Sequence, residues 1–187
     1  IANGDWSSDV CSSDLNRVRL KINCVCVAGI DTQNVLALLN YAQRADVDIR
    51  FIEMMPIGLG RQFSFVSEAV IRKMIEEKYG KLTPYGKTRG NGPCKYYDVP
   101  GFIGKVGFIS AVSHKFCDTC NRVRLTSDGF LKSCLQYDHG VYLKSLLEQK
   151  VSDEILWETM KTAIKQKPKA HHFDEKKIKN EDEIRGM

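Results

Sequence analysis

Residues 18–54 read VRLKINCVCVAGIDTQNVLALLNYAQRADVDIRFIEM, and the succession of patterns within them decides the fold class. From Val18 the chain is rich in β-branched residues and reads as a buried strand. After Gly29, the segment TQNVLALLNYAQRA spaces its apolar residues at helical period. Val47 to Met54 reads as a second strand. A strand, a helix and a strand joined by a crossover of this length form a βαβ unit, which predicts two parallel strands and an α/β fold. Pro56, Gly58 and Gly60 then predict a loop at the carboxyl end of the second strand, the end that carries the chemistry in α/β barrels. One βαβ unit cannot cover its own edges, so the chain reads as the C-terminal part of a larger α/β protein.

Working outward, the spacing predicts a helix from about Ser67 to Tyr79, with the Ser67 hydroxyl as N-cap and Gly80 as its stop. Short strands are predicted near Lys95 to Val99 and in KVGFIS. RVRLT and the residues around Leu131 predict a hairpin turned by Ser127, Asp128 and Gly129. Helices are predicted near Val141 to Glu148 and Ser152 to Lys165, and a loosely held charged tail from Lys167. The first fifteen residues, IANGDWSSDVCSSDL, repeat SSDV-C-SSDL without amphipathic period. They are read as a non-native leader (1–15), in which Cys11 has no function.

Hydrophobic residues make up 43% and charged residues 27% of the 187, which fits a globular domain. No apolar run approaches the ~20 residues of a membrane span, and no signal-peptide pattern is visible. The net charge of +5 suits an anionic ligand and is weak grounds for nucleic acid. Seven cysteines form an odd set, which predicts reduced thiols in the cytoplasm and no disulfide framework.

Three of those cysteines carry the chemistry. FCDTCNRVRLTSDGFLKSCL (116–135) spaces Cys117, Cys120 and Cys134 as C-x2-C-x13-C. A CxxC turn brings two thiolates to one zinc or one iron–sulfur cluster, and spacing alone leaves both open. Zinc requires a fourth ligand, for which Cys94, His114 and His139 are candidates. Arg122 and Arg124 follow the second cysteine. Alternate positions of a strand share a face, so the pair can form a fork for an anionic substrate, with Val123 contributing its backbone. Cys24 and Cys26 read as small buried hydrophobes, the KQKPKA run as a solvated face, and Glu53 as a buried partner for a base. His114 and His139 are assigned no role.

KINCVCV, RFIEMMP and FCDTCNRVRLTSDGFLKSCL together resemble the molybdenum cofactor biosynthesis protein A family, the GTP 3′,8-cyclases. The resemblance runs from Asn16 to the end. It implies a radical S-adenosylmethionine (SAM) enzyme that converts GTP to 3′,8-cyclo-7,8-dihydro-GTP, with GTP as partner, a homodimer, and no nucleic acid or membrane. The fold it implies is the C-terminal part of an incomplete TIM-type barrel (16–60) followed by an α+β cluster-binding and GTP-binding region (61–187). By position, Cys117, Cys120 and Cys134 match the ligands of a [4Fe-4S] cluster. Lys21, Arg122, Val123 and Arg124 match GTP contacts, and Met55 matches a contact to SAM. Arg50, on the same strand as Ile52, is a weaker candidate for the substrate. No residue is assigned a catalytic role. The family's second cluster sits on a CxxxCxxC motif that this sequence does not contain, so the chain is expected to be inactive alone. The other readings are a structural zinc module with a basic nucleic-acid-binding face, and a different radical enzyme with an auxiliary cluster.

Overall fold

The computed structural model describes residues 19–29 and 32–173; the leader read over 1–15 lies outside them. The chain divides into two compact units, with the boundary after His114.

The first unit opens with β1 (Leu20–Cys26), α1 (Thr32–Arg44) and β2 (Val47–Glu53). β1 and β2 pair in parallel, from Leu20 opposite Val47 to Cys26 opposite Glu53. A 3-10 turn at Gly58–Gln62 follows, then α2 (Glu68–Tyr79), β3 (Thr83–Pro84), β4 (Lys95–Asp98) and β5 (Val106–Ile109). The five strands form one mixed sheet in the order β1-β2-β5-β4-β3. β5 runs parallel to β2, and β4 and β3 are antiparallel. The α/β class expected from residues 18–54 therefore holds, and the sheet continues well past residue 60.

The core explains why α1 is a helix. Val35, Leu39 and Ala42 recur at i, i+4 and i+7, and all three are fully buried beside Ile49 and Phe51 of β2. Burying a valine or leucine side chain is worth about 1.5–3 kcal/mol. On α2, Ile71 and Ile75 repeat the device. Cys26 belongs to this core and Cys24 packs partly against it, as their reading as small hydrophobes requires.

The start of α2 departs from expectation. Ser67 occupies the N-cap, but its side chain makes no capping bond. The first amide is taken instead by Glu53, whose Oε1 accepts from the Glu68 amide at 3.1 Å. Glu53 Oε2 accepts from the amides of Val112 (2.9 Å) and Ser113 (2.8 Å), and the Ser113 hydroxyl donates to Oε1. The partners expected of Glu53 were basic; they are three amides and a hydroxyl. A carboxylate at the end of β2 thus fastens α2 and the segment after β5 together. Burial pushes the Glu53 carboxyl up, but these donors outweigh it and hold the group below the usual range. Gly80 ends α2 as expected, at φ +92° with its amide on the Glu76 carbonyl.

The second unit holds a three-stranded antiparallel sheet of β6 (Arg124–Leu125), β7 (Phe130–Lys132) and β8 (Gly140–Tyr142). Gly129, at φ +82°, turns the β6–β7 hairpin, and Thr126 closes it through bonds to Phe130. β8 occupies residues expected to start a helix; α3 begins only at Leu143 (Leu143–Glu148). α4 (Asp153–Lys165) follows, with the Ser152 hydroxyl accepting from the Ile155 amide. The tail expected to be loose from Lys167 is packed as far as Phe173. Phe173 and His171 are buried and stacked at 4.1 Å, and the Tyr137 hydroxyl donates to the Ala170 carbonyl.

Candidate cluster and nucleotide site

In the second unit, Cys117 opens a 3-10 turn (Cys117–Thr119), and the Cys120 amide closes on the Cys117 carbonyl at 3.1 Å. This turn sets both cysteines of the CxxC pair on one bend. Cys134 lies two residues beyond β7. All three thiols are free and half-buried. Among the described residues, no three His, Cys, Asp or Glu side chains are gathered into a metal-holding group. The fold thus sets Cys117 and Cys120 on one backbone turn without gathering Cys134 and them into such a group.

Cys120 is the most constrained of the three. Lys167 Nζ donates to its Sγ at 3.1 Å and to its carbonyl at 2.8 Å. Burial pushes the Cys120 thiol up, but a hydrogen bond from the Arg122 backbone and the Lys167 and Arg122 charges bring it below its ordinary value. Thiolate is the form that binds metal. An all-thiolate donor set, free of disulfides, suits soft iron–sulfur or zinc chemistry. In these chemical terms the residues fit a [4Fe-4S] cluster.

Arg122, Val123 and Arg124 are all exposed. Strand pairing begins only at Arg124, opposite Lys132. The alternation expected to put Arg122 and Arg124 on one face therefore does not reach Arg122. That residue is placed by Lys167, which donates to its carbonyl at 2.9 Å. The sequence places Lys167 in a solvated basic run; its ammonium instead points at the cysteine turn, 47 residues away in sequence. No pattern in the sequence marks it.

The first unit gathers a separate polar face. Register puts Lys21 opposite Asp48, and Asn23 opposite Arg50, which opposes Gly107. Asp48 is fully buried and pairs with Arg89 from the Gly-rich segment before β4. Lys21 donates to the Arg89 carbonyl and lies 5.6 Å from the centre of the Tyr96 ring. Arg50 Nε is buried without a hydrogen-bond partner. Gly107 makes room for this arrangement, since a Cβ there would meet Cys94 Sγ and stand 3.1 Å from the Tyr96 ring. Burial raises the Cys94 thiol to about 11. Met55 is half-buried just beyond β2, and Gly60 packs directly on its carbonyl. The structure thus brings Lys21 to Asp48 and Arg89, a pair that the sequence did not suggest.

The family model described as Molybdenum Cofactor Synthesis C matches residues 47–173. The chain belongs to that family. The Molybdenum Cofactor Synthesis C match includes β2, Met55, the three cysteines and Lys167; Lys21 precedes it. The chain is 44% identical over 169 residues to a GTP 3′,8-cyclase of Clostridium perfringens (strain SM101 / Type A), covering 90% of this chain and 51% of the relative. A GTP 3′,8-cyclase of Syntrophomonas wolfei is 38% identical over 164 residues, covering 86% and 50%. Molybdenum cofactor biosynthesis protein 1 of Dictyostelium discoideum is 37% identical over 161 residues, covering 84% and 26%. The chain spans about half the length of the bacterial relatives it matches. No helix among the described residues is long and apolar enough to cross a membrane.

Proposed function

We propose that the chain is the cluster- and GTP-binding part of a GTP 3′,8-cyclase, the radical SAM enzyme that converts GTP to 3′,8-cyclo-7,8-dihydro-GTP in molybdenum cofactor biosynthesis. The observation that carries this reading is the cysteine turn with its arginines, in a chain whose relatives are named for that activity. Cys117, Cys120 and Cys134 would hold a [4Fe-4S] cluster, which supplies iron with a coordination position that no protein ligand takes.

Arg122 and Arg124 would hold the triphosphate. Guanidinium groups stay charged and give bidentate, charge-assisted bonds to phosphate oxygens. Val123 would contribute its backbone, and Lys21 a further point charge. Met55 would contact SAM. In this reading residues 16–60 carry the last βαβ unit of an incomplete TIM-type barrel and 61–187 the cluster and GTP region. The parallel β1–β2 pair, with β1 at the sheet edge, supports the barrel. SAM and a second [4Fe-4S] cluster belong to the whole enzyme, a homodimer by family resemblance. Six free cysteines among the described residues support a reducing, cytoplasmic setting. The zinc module with a nucleic-acid face has no support from the named relatives.

Titrating GTP into the anaerobically reconstituted chain tests the assignment. A hydrogen bond to a charged group contributes about 1.5–3 kcal/mol, so Arg122→Ala and Arg124→Ala should each weaken binding roughly tenfold or more. Unchanged affinity in both variants removes these arginines from the site.

A further inference from the structure

Lys167 lies two residues past α4, in a segment whose composition suggests only solvated charge. Its ammonium has three protons and three acceptors: Cys120 Sγ at 3.1 Å, the Cys120 carbonyl at 2.8 Å and the Arg122 carbonyl at 2.9 Å. Two of the three are backbone oxygens, so its position does not depend on the state of the thiol. The Lys167 amide is itself held by the Ile164 carbonyl at 3.1 Å, which anchors the lysine to the last turn of α4. With every proton engaged, the ammonium has none left for a phosphate. It therefore differs in kind from the exposed Arg122 and Arg124.

We propose that Lys167 is a positioning residue that ties the cluster ligand Cys120 and the nucleotide-binding segment at Arg122 into one rigid element. The inference rests on the reading of Cys117, Cys120 and Cys134 as cluster ligands. Hydrogen bonds to ligand sulfurs and nearby positive charge set the potential of an iron–sulfur centre, and both raise it by favouring the more negative, reduced state. Partners of this kind also orient the ligand, and their loss typically costs 10–100-fold in metal affinity. Lys167 supplies both effects at one sulfur.

The test compares the wild-type chain, Lys167→Met and Lys167→Arg after anaerobic reconstitution. Iron and sulfide content, the rate of iron loss to a chelator, and the reduction potential from a spectroscopic titration are measured for each. The methionine variant should assemble the cluster, lose iron roughly tenfold faster or more, and show a lower potential. The arginine variant, which keeps the charge and an N–H for the sulfur, should recover most of the potential. Faster iron loss at an unchanged potential would reduce Lys167 to a support of the tail and overturn the proposal. So would iron loss within about twofold of wild type. A wild-type chain that binds zinc without sulfide fails differently: it overturns the cluster reading, and this inference falls with it.

Discussion

Replacing Glu53 with glutamine should cost the first unit about 3–5 kcal/mol, a figure that follows from where its four hydrogen bonds go. The side chain is only 4% exposed, so water cannot substitute for lost partners. A glutamine keeps one acceptor oxygen and introduces two N–H donors. Its best orientation leaves the oxygen on the Val112 and Ser113 amides and turns the NH2 toward the Ser113 hydroxyl, which can reverse and accept. The Glu68 amide, now facing a donor, loses its partner at the start of α2. An unsatisfied buried amide costs about 1–3 kcal/mol. The two surviving bonds change from charge-assisted to neutral, at about 1 kcal/mol each. Urea unfolding followed by circular dichroism, with hydrogen exchange at the Glu68, Val112 and Ser113 amides, reads the effect globally and locally. The pH dependence supplies a second check. Because the folded carboxyl titrates below its unfolded value, the unfolded chain binds more protons in the acid range. The contribution is therefore fully present above the ordinary glutamate value of about 4.3 and is lost as pH falls through the lower folded value. The gap between wild type and variant should close over that window. A loss below about 1 kcal/mol at pH 7, or a gap that persists undiminished in acid, would refute the reasoning.

Two further outcomes follow from the polar face of the first unit. Arg89→Met should destabilise it by about 3–5 kcal/mol, because it leaves the fully buried Asp48 without its cation. Adding Asp48→Asn to that variant should recover part of the loss, and a double variant no more stable than the single one would argue against a paired buried charge. Gly107→Ala should cost about 1–3 kcal/mol by forcing Cys94 and Tyr96 off the sheet, read as a lower urea midpoint. Equal midpoints would mean that the neighbouring side chains yield freely.

The local patterns of this chain were legible because they are set by short-range sterics and periodicity. α1 and α2 announced themselves through apolar residues three and four apart, and β1 and β2 through β-branched runs. Gly129 fixed the cysteine hairpin. The sheet order was not legible, since the pairing of β5 with β2 depends on a register between segments more than fifty residues apart. β3 is not marked in the sequence, because two residues ending in Pro84 carry no alternation. β8 reads as the start of a helix because Gly140–Tyr142 continues directly into α3. The same division runs through the candidate site. The cysteine spacing and the arginines are local and could be read directly. Lys167 reaches its acceptors, and Arg89 reaches Asp48, only through tertiary folding. Glu53 looked like one half of an ion pair because sequence shows charges and hides backbone amides.

The central claim, that Cys117, Cys120 and Cys134 carry an iron–sulfur cluster beside a nucleotide-binding segment, is tested most directly by metal and sulfide analysis with an absorption spectrum on the anaerobically reconstituted chain. About four iron and four sulfide per chain, with the broad visible absorption of a [4Fe-4S] centre, is the predicted result. About one zinc per chain without sulfide would contradict it.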